Sequence, residues 1–118
     1  MTSLIACLSS GKGTRAHVKK VMEAINWDKI FLITNKQWEE EFKKTKNTEF
    51  IMIDTRKTIT EMAEEIKKAL EEKIKDFEVA LNIVSGEGRE HMALISALLK
   101  LGLGIRLVAL TKKGVMEI

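Results

Sequence analysis

The sequence predicts an α/β fold built on a doubly wound, mostly parallel sheet. Three observations carry that expectation: five short apolar runs, longer helical patterns between them, and little polar alternation within the runs. A strand covered on both faces has no solvent side to alternate with, so it reads as continuous apolar residues. Regular β–α alternation requires crossover connections, which lay helices on both faces of the sheet. Right-handed crossovers leave mainly the strand orders 3-2-1-4-5 and 2-1-3-4-5, and we carry the first.

The elements follow in order. Leu4 to Leu8 is the first apolar run, and Val18, Val21, Met22 and Ile25 then recur at helical spacing. Ile30 to Thr34 is the second run, followed by the i,i+4 pair Trp38 and Phe42, which predicts a short helix. Phe50 to Ile53 is the third run. After it, Ile59, Met62, Ala63, Ile66, Ala69, Leu70 and Ile74 form the clearest stripe in the chain. The opposite face of that helix holds Glu61, Glu64, Glu65, Lys67, Lys68, Glu71 and Glu72. The Glu64–Lys68 spacing suits a favourable pair, and the run reads as a solvated face. Val79 to Val84 is the fourth run. The helix Glu90 to Leu101 is apolar nearly all round, which suits either a sandwiched position or a dimer contact. Ile105 to Leu110 is the fifth run. Thr111-Lys112-Lys113-Gly114 is turn-like, and Val115 to Ile118 then fits an antiparallel edge strand hairpinned to strand five.

Composition narrows the class. One domain over residues 1–118 is expected, with 45% hydrophobic residues to form a core and 31% charged residues to solvate it. This excludes a disordered tail, a collagen-like repeat and a disulfide scaffold. Abundant lysine and glutamate form a thermophile-like balance, whereas the complete absence of proline runs the other way. A net charge of +3 is too small to indicate binding to long nucleic acid. Cys7 is the sole cysteine and lies in an apolar run, so it reads as a small buried hydrophobe. The apolar runs fall far short of the roughly 18 residues that a membrane span needs. A secretory leader is not evident either, and a cytoplasmic location is the default expectation.

The chemistry is expected beyond the carboxyl ends of the strands, where strand order reverses. With order 3-2-1-4-5 this crevice lies between strands one and four. Each of those strands leads into a glycine-containing loop: Ser9-Ser10-Gly11-Lys12-Gly13-Thr14 and Ser85-Gly86-Glu87-Gly88-Arg89-Glu90. Glycine lets backbone N–H groups approach an anion closely, and each loop opens a helix whose N-terminus favours negative charge. Ser9, Ser10, Thr14 and Ser85 add hydroxyls suited to phosphate or ribose. The alternative reading is ordinary turn glycines with Thr14 or Ser85 as helix caps. The first loop lacks the G-x-x-x-x-G-K-[ST] spacing, and the second lacks a third dinucleotide-loop glycine. Triphosphate hydrolysis and a nicotinamide cofactor are therefore set aside, and the expectation is of no cofactor.

Loops at the same edge hold Lys12, Arg15, Arg56, Lys57, Arg89, Lys112 and Lys113 against Asp54, Glu87 and Glu90. The basic excess is thus concentrated there, which suits an anionic ligand. Glu87 and Glu90 read as first-turn acids or as acceptors for a base amino group. No histidines or carboxylates show metal-ligand spacing, so no metal is expected. His91 suits either an acid–base role in the crevice or an exposed or packed position.

These residues resemble a known family. Asn82-Ile83-Val84-Ser85-Gly86-Glu87-Gly88-Arg89-Glu90-His91-Met92-Ala93 resembles the strand-four motif of the CRISPR-associated Rossmann fold (CARF) family. That motif is an apolar strand with asparagine, a serine- or threonine-glycine turn, a basic residue, then methionine-alanine. The loop Ser9 to Thr14 is similar to the family's other ligand loop. In element order the resemblance covers the whole chain; in specific residues it covers the two loops.

The resemblance implies a Rossmann-like homodimer whose two crevices join into one pocket. It implies cyclic oligoadenylate, a second messenger of antiviral defence, as ligand. Ser9, Ser10, Gly11, Lys12, Ser85, Gly86 and Arg89 would line the pocket, with Gly13, Thr14 and Gly88 completing the two loops. Some members cleave the ring without metal by aligning a ribose 2′-hydroxyl on the adjacent phosphodiester, a role for Ser10 and Lys12 here. Members usually carry a nuclease or helix-turn-helix module as well, for which this length leaves no room. Three functions stay open at this point: a nucleotide-sensing module, a metal-independent ring nuclease, and an interaction domain that dimerises through its fourth helix.

Overall fold

The computed structural model describes residues 2–9, 12–39 and 47–118, with only the backbone of Lys12. The strands are β1 (Leu4–Cys7), β2 (Ile30–Thr34), β3 (Thr48–Met52), β4 (Glu78–Asn82), β5 (Gly104–Thr111) and β6 (Gly114–Glu117). The helices are α1 (Lys12–Ala24), α2 (Lys36–Glu39), α3 (Ile59–Glu71) and α4 (Gly88–Lys100). The six strands form one sheet in the order β3-β2-β1-β4-β5-β6. The first five run parallel, and β6 pairs antiparallel with β5 through Leu110↔Val115 and Ala109↔Met116. The expected order, the edge hairpin and the Rossmann-like winding are therefore all present.

Strand parity explains the two-sided core. Ile5, Cys7, Phe31, Ile33, Val79 and Leu81 face one side, against Met62, Ile66 and Leu70 of α3 and Ala93, Leu94, Ala97 and Leu98 of α4. Leu4, Ala6, Leu8, Leu32 and Ala80 face the other side, against Val18, Val21 and Met22 of α1. Every residue of β1 and β2 is buried, which is why those runs show no alternation. Each fully buried Leu or Ile contributes roughly 1.5–3 kcal/mol, so these layers dominate stability.

Some boundaries differ from the expected ones. α1 begins six residues before its first core residue, at Lys12 rather than near Val18. β4 stops at Asn82 instead of Val84, because the Asn82 Oδ1 accepts the Val84 N–H at 3.3 Å and turns the chain. α3 opens on a reciprocal cap: the Glu61 N–H donates to the Thr58 hydroxyl at 3.1 Å, and the Thr58 N–H to the Glu61 carboxylate at 3.2 Å. The helical pair on α3's polar face is Lys67–Glu71, at 3.7 Å. α4 is not sandwiched within the chain, since Met92 and Leu99 are each 64% exposed. Phe42, expected on the second helix, lies outside the described residues. Among the described residues no helix is long and apolar enough to cross a membrane.

Candidate functional site at the carboxyl edge

β1 is flanked by β2 on one side and β4 on the other. The chain leaves β1 through α1 towards β2, and leaves β4 through α4 towards β5. In sheets of this order the loops leave these two strands in opposite directions, and ligands bind in the crevice between them.

Ser85 joins the two loops. Its side chain is fully buried, and its Oγ accepts the Ser9 N–H at 2.9 Å. The Thr14 hydroxyl, in the first turn of α1, lies 3.4 Å from the same Oγ. His91 lies 2.9 Å from the Ser85 carbonyl through Nε2; a carbonyl only accepts, so this nitrogen carries the proton. Beneath them the Thr34 hydroxyl donates to the Leu8 carbonyl at 2.8 Å, tying the end of β2 to the crevice floor. The polar groups of the floor are thus paired, as burial requires.

Gly86 turns the second loop. Its φ is +102°, and an added Cβ would lie 2.7 Å from Glu90 Oε2 and 3.1 Å from His91 Nε2. Only glycine fits there without strain. Gly13 and Gly88 differ, since a Cβ at either position meets nothing within 4 Å. Their missing side chains leave open space at the first turns of α1 and α4.

The walls carry charge. Arg15 stacks on the Trp38 ring at 4.5 Å and its guanidinium lies 3.5 Å from the Ser9 carbonyl. Arg89 is engaged by the β3–α3 loop: it donates to the Thr55 carbonyl at 2.8 Å and the Lys57 carbonyl at 2.5 Å. It therefore straps the β3–α3 loop to α4. In that loop Arg56 grips Asp54 with bonds of 3.0 and 3.1 Å, and this hydrogen bonding lowers the Asp54 carboxyl to about 2. Lys57 pairs with Glu65 of α3. Lys112 and Lys113 are exposed in the β5–β6 turn.

Two titratable groups lie under the Gly86 turn. Burial is the main cause that raises the Glu90 carboxyl above its ordinary range; the Glu87 N–H, donating to Oε2 at 3.4 Å, opposes it. Burial, reinforced by the Glu90 charge, pushes the Cys7 thiol far up. Cys7 is thus held as an inert thiol in the core.

The structure brings together Ser9, Thr14 and Ser85, with Gly86 turning the chain directly after Ser85 and Gly13 and Gly88 in the first turns of α1 and α4. Ser10 and Gly11 lie outside the described residues, and for Lys12 only its place at the start of α1 is described. Sequence reasoning missed Thr34 and Trp38 as parts of this edge. Thr34 had a signal, being the single hydroxyl that ends an otherwise apolar run. Of the donors at this edge, the Ser9 N–H and the Arg56, Lys57 and Arg89 side chains are engaged within the protein. The Ser85 hydroxyl is buried and engaged, so it is no nucleophile; His91 Nε2 already donates to a carbonyl, so it is no free base. Among the described residues no group of three histidine, cysteine or acidic side chains is placed to hold a metal.

No family model matches the chain, and no curated protein matches it either. Fold and edge together define the class: a Rossmann-like α/β protein in which the loops after β1 and β4 meet at the topological switch point.

Proposed function

We propose that the chain is a nucleotide-sensing binding domain that takes an anionic nucleotide at the carboxyl edge. Cyclic oligoadenylate of CRISPR antiviral signalling is the leading ligand, on the resemblance of the two loops to those of CARF proteins. The observation that carries the reading is the Ser9 N–H to Ser85 Oγ bond, which draws both glycine loops to one point beside the start of α1. A phosphate there would meet backbone donors and the helix N-terminus, with Lys12 supplying charge. Arg89 would join only after leaving its two loop carbonyls. Open space at Gly13 and Gly88 admits close approach of a ligand.

The proposed assembly is a homodimer. Met92 and Leu99 of α4 are exposed, and so are Leu107, Met116 and Ile118 on the same side of β5 and β6. A second copy covering this apolar surface would remove it from water.

Incubating the protein with a panel of cyclic oligoadenylates, while following both binding and products, tests the reading. Binding with the ring intact supports the sensor. Linear products without added metal would make the chain a ring nuclease, and Ser10→Ala with Lys12→Ala should then abolish turnover. No binding to any ring or mononucleotide overturns the ligand reading and leaves the dimerising interaction domain. A monomer mass at micromolar concentration overturns the joint pocket.

A further inference from the structure

We infer that His17 is a proton-sensitive latch that holds the end of β5 to α1 and β4. The need for a latch comes from unequal strands. β5 has eight residues and β4 has five, and their register ends at Leu81↔Leu107. Past that pair, the backbone groups of β5 that face β4 have no strand to bond with, and such groups must find other partners when buried.

Two side chains take the place of the missing strand. Asn82, buried at the end of β4, donates from Nδ2 to the Val108 carbonyl at 2.9 Å. The Leu110 N–H donates to His17 Nε2 at 3.3 Å. Asn82 Nδ2 also lies 3.1 Å from the same His17 nitrogen. Backbone and amide nitrogens only donate, so Nε2 must be the acceptor for both, and the ring proton sits on Nδ1. The Asn82 amide cannot turn over to change this, because its Oδ1 would then face the Val108 carbonyl oxygen.

Protonating Nε2 removes the only acceptor and points a third N–H at two others. The ring would have to swing away, leaving the Leu110 N–H and one Asn82 proton without partners. The charged groups on the elements packed around the ring are few. Arg106 and Glu117 share the α1 side of β5 and β6, and lie 3.8 Å apart. Glu78 of β4 holds Arg106 at 3.1 Å. Lys20 lies one turn along α1, and Lys112 and Lys113 sit in the turn that β5 enters. The ion pairs among the described residues leave the ring out. Proton uptake by His17 therefore releases the end of β5 at Leu110 from α1, the helix that carries Thr14, while the Asn82–Val108 bond still ties β5 to β4. This device stands whatever the crevice binds.

Nitrogen-15 spectra of the histidines and amide exchange at pH 7.5 and 5, which span the usual imidazole titration range, test it. The expected result is an Nδ1–H tautomer for His17 at pH 7.5. Protection of the Leu110 amide, corrected for intrinsic exchange, should fall about tenfold or more at pH 5. The Ala80 amide, which donates to Ser3 O at 3.0 Å within the sheet, should hold its protection. In His17→Gln, whose side chain offers a non-titrating acceptor, Leu110 protection should be equal at both pH values. An Nε2–H tautomer at pH 7.5 overturns the latch. So does unchanged Leu110 protection in the wild type, or an equal fall at Ala80. If His17→Gln does not fold, the tautomer and the wild-type amides decide alone.

Discussion

The Ser9 amide and the Ser85 hydroxyl, 76 positions apart, meet at 2.9 Å in a fully buried contact between β1 and β4. The bond ties the loop after β1 to the loop after β4. Its removal has a calculable effect. Ser85→Ala leaves the Ser9 N–H buried without an acceptor, which costs about 1–3 kcal/mol. Urea unfolding should show that loss as a lower midpoint with an unchanged slope, and ligand affinity should fall with it.

The glycines separate into two kinds. Gly86→Ala forces a side chain into a positive-φ turn against Glu90 and should destabilise by about 1–3 kcal/mol. Gly13→Ala and Gly88→Ala meet open space, so their stability should stay within about 0.5 kcal/mol of wild type. If the crevice holds a nucleotide, both should still weaken its binding. Thermal melts and a binding titration on the three variants resolve the two effects.

Glu90 makes stability depend on pH in a direction opposite to most carboxylates. Its folded-state carboxyl is raised by burial, so its contribution is fully present below the ordinary value of 4.5 and lost as pH rises through the folded value. Glu90→Gln cannot ionise. Its stability relative to wild type should therefore improve from pH 4 towards neutrality and then level off, as followed by denaturant midpoints.

Cys7 should resist alkylation. Its thiol is fully buried and pushed far up, so little thiolate exists to react. Native protein should label at least about a hundredfold more slowly than protein in denaturing urea. Rapid labelling under native conditions would show that the β1 layer opens.

The strand interiors were readable because β1 and β2 are buried on both faces, and the residues themselves show it. The switch point followed from strand order, and with it the meeting of Ser9 and Ser85. Other features had no one-dimensional trace. The start of α1 carries Gly13 and Thr14 before any core residue, so apolar spacing could not mark it. The end of β4 is decided by the Asn82 side chain, while the apolar run continues to Val84. Arg89 looked like a crevice residue from its position, but its long side chain reaches the carbonyls of a neighbouring loop. Side-chain reach of that kind is set by packing, which spacing along a chain does not record.

The chain has two tryptophans and no tyrosine, and both tryptophans belong to the layer on the α1 side of the sheet. Trp27 is sealed in that layer, its indole N–H donating to the Val21 carbonyl at 3.0 Å. Trp38 stands at the crevice wall beneath the Arg15 guanidinium. Intrinsic fluorescence is therefore a built-in, one-sided optical probe. Trp27 reports whether the α1 layer is closed, Trp38 reports what happens beside the loops, and the α3–α4 layer stays dark.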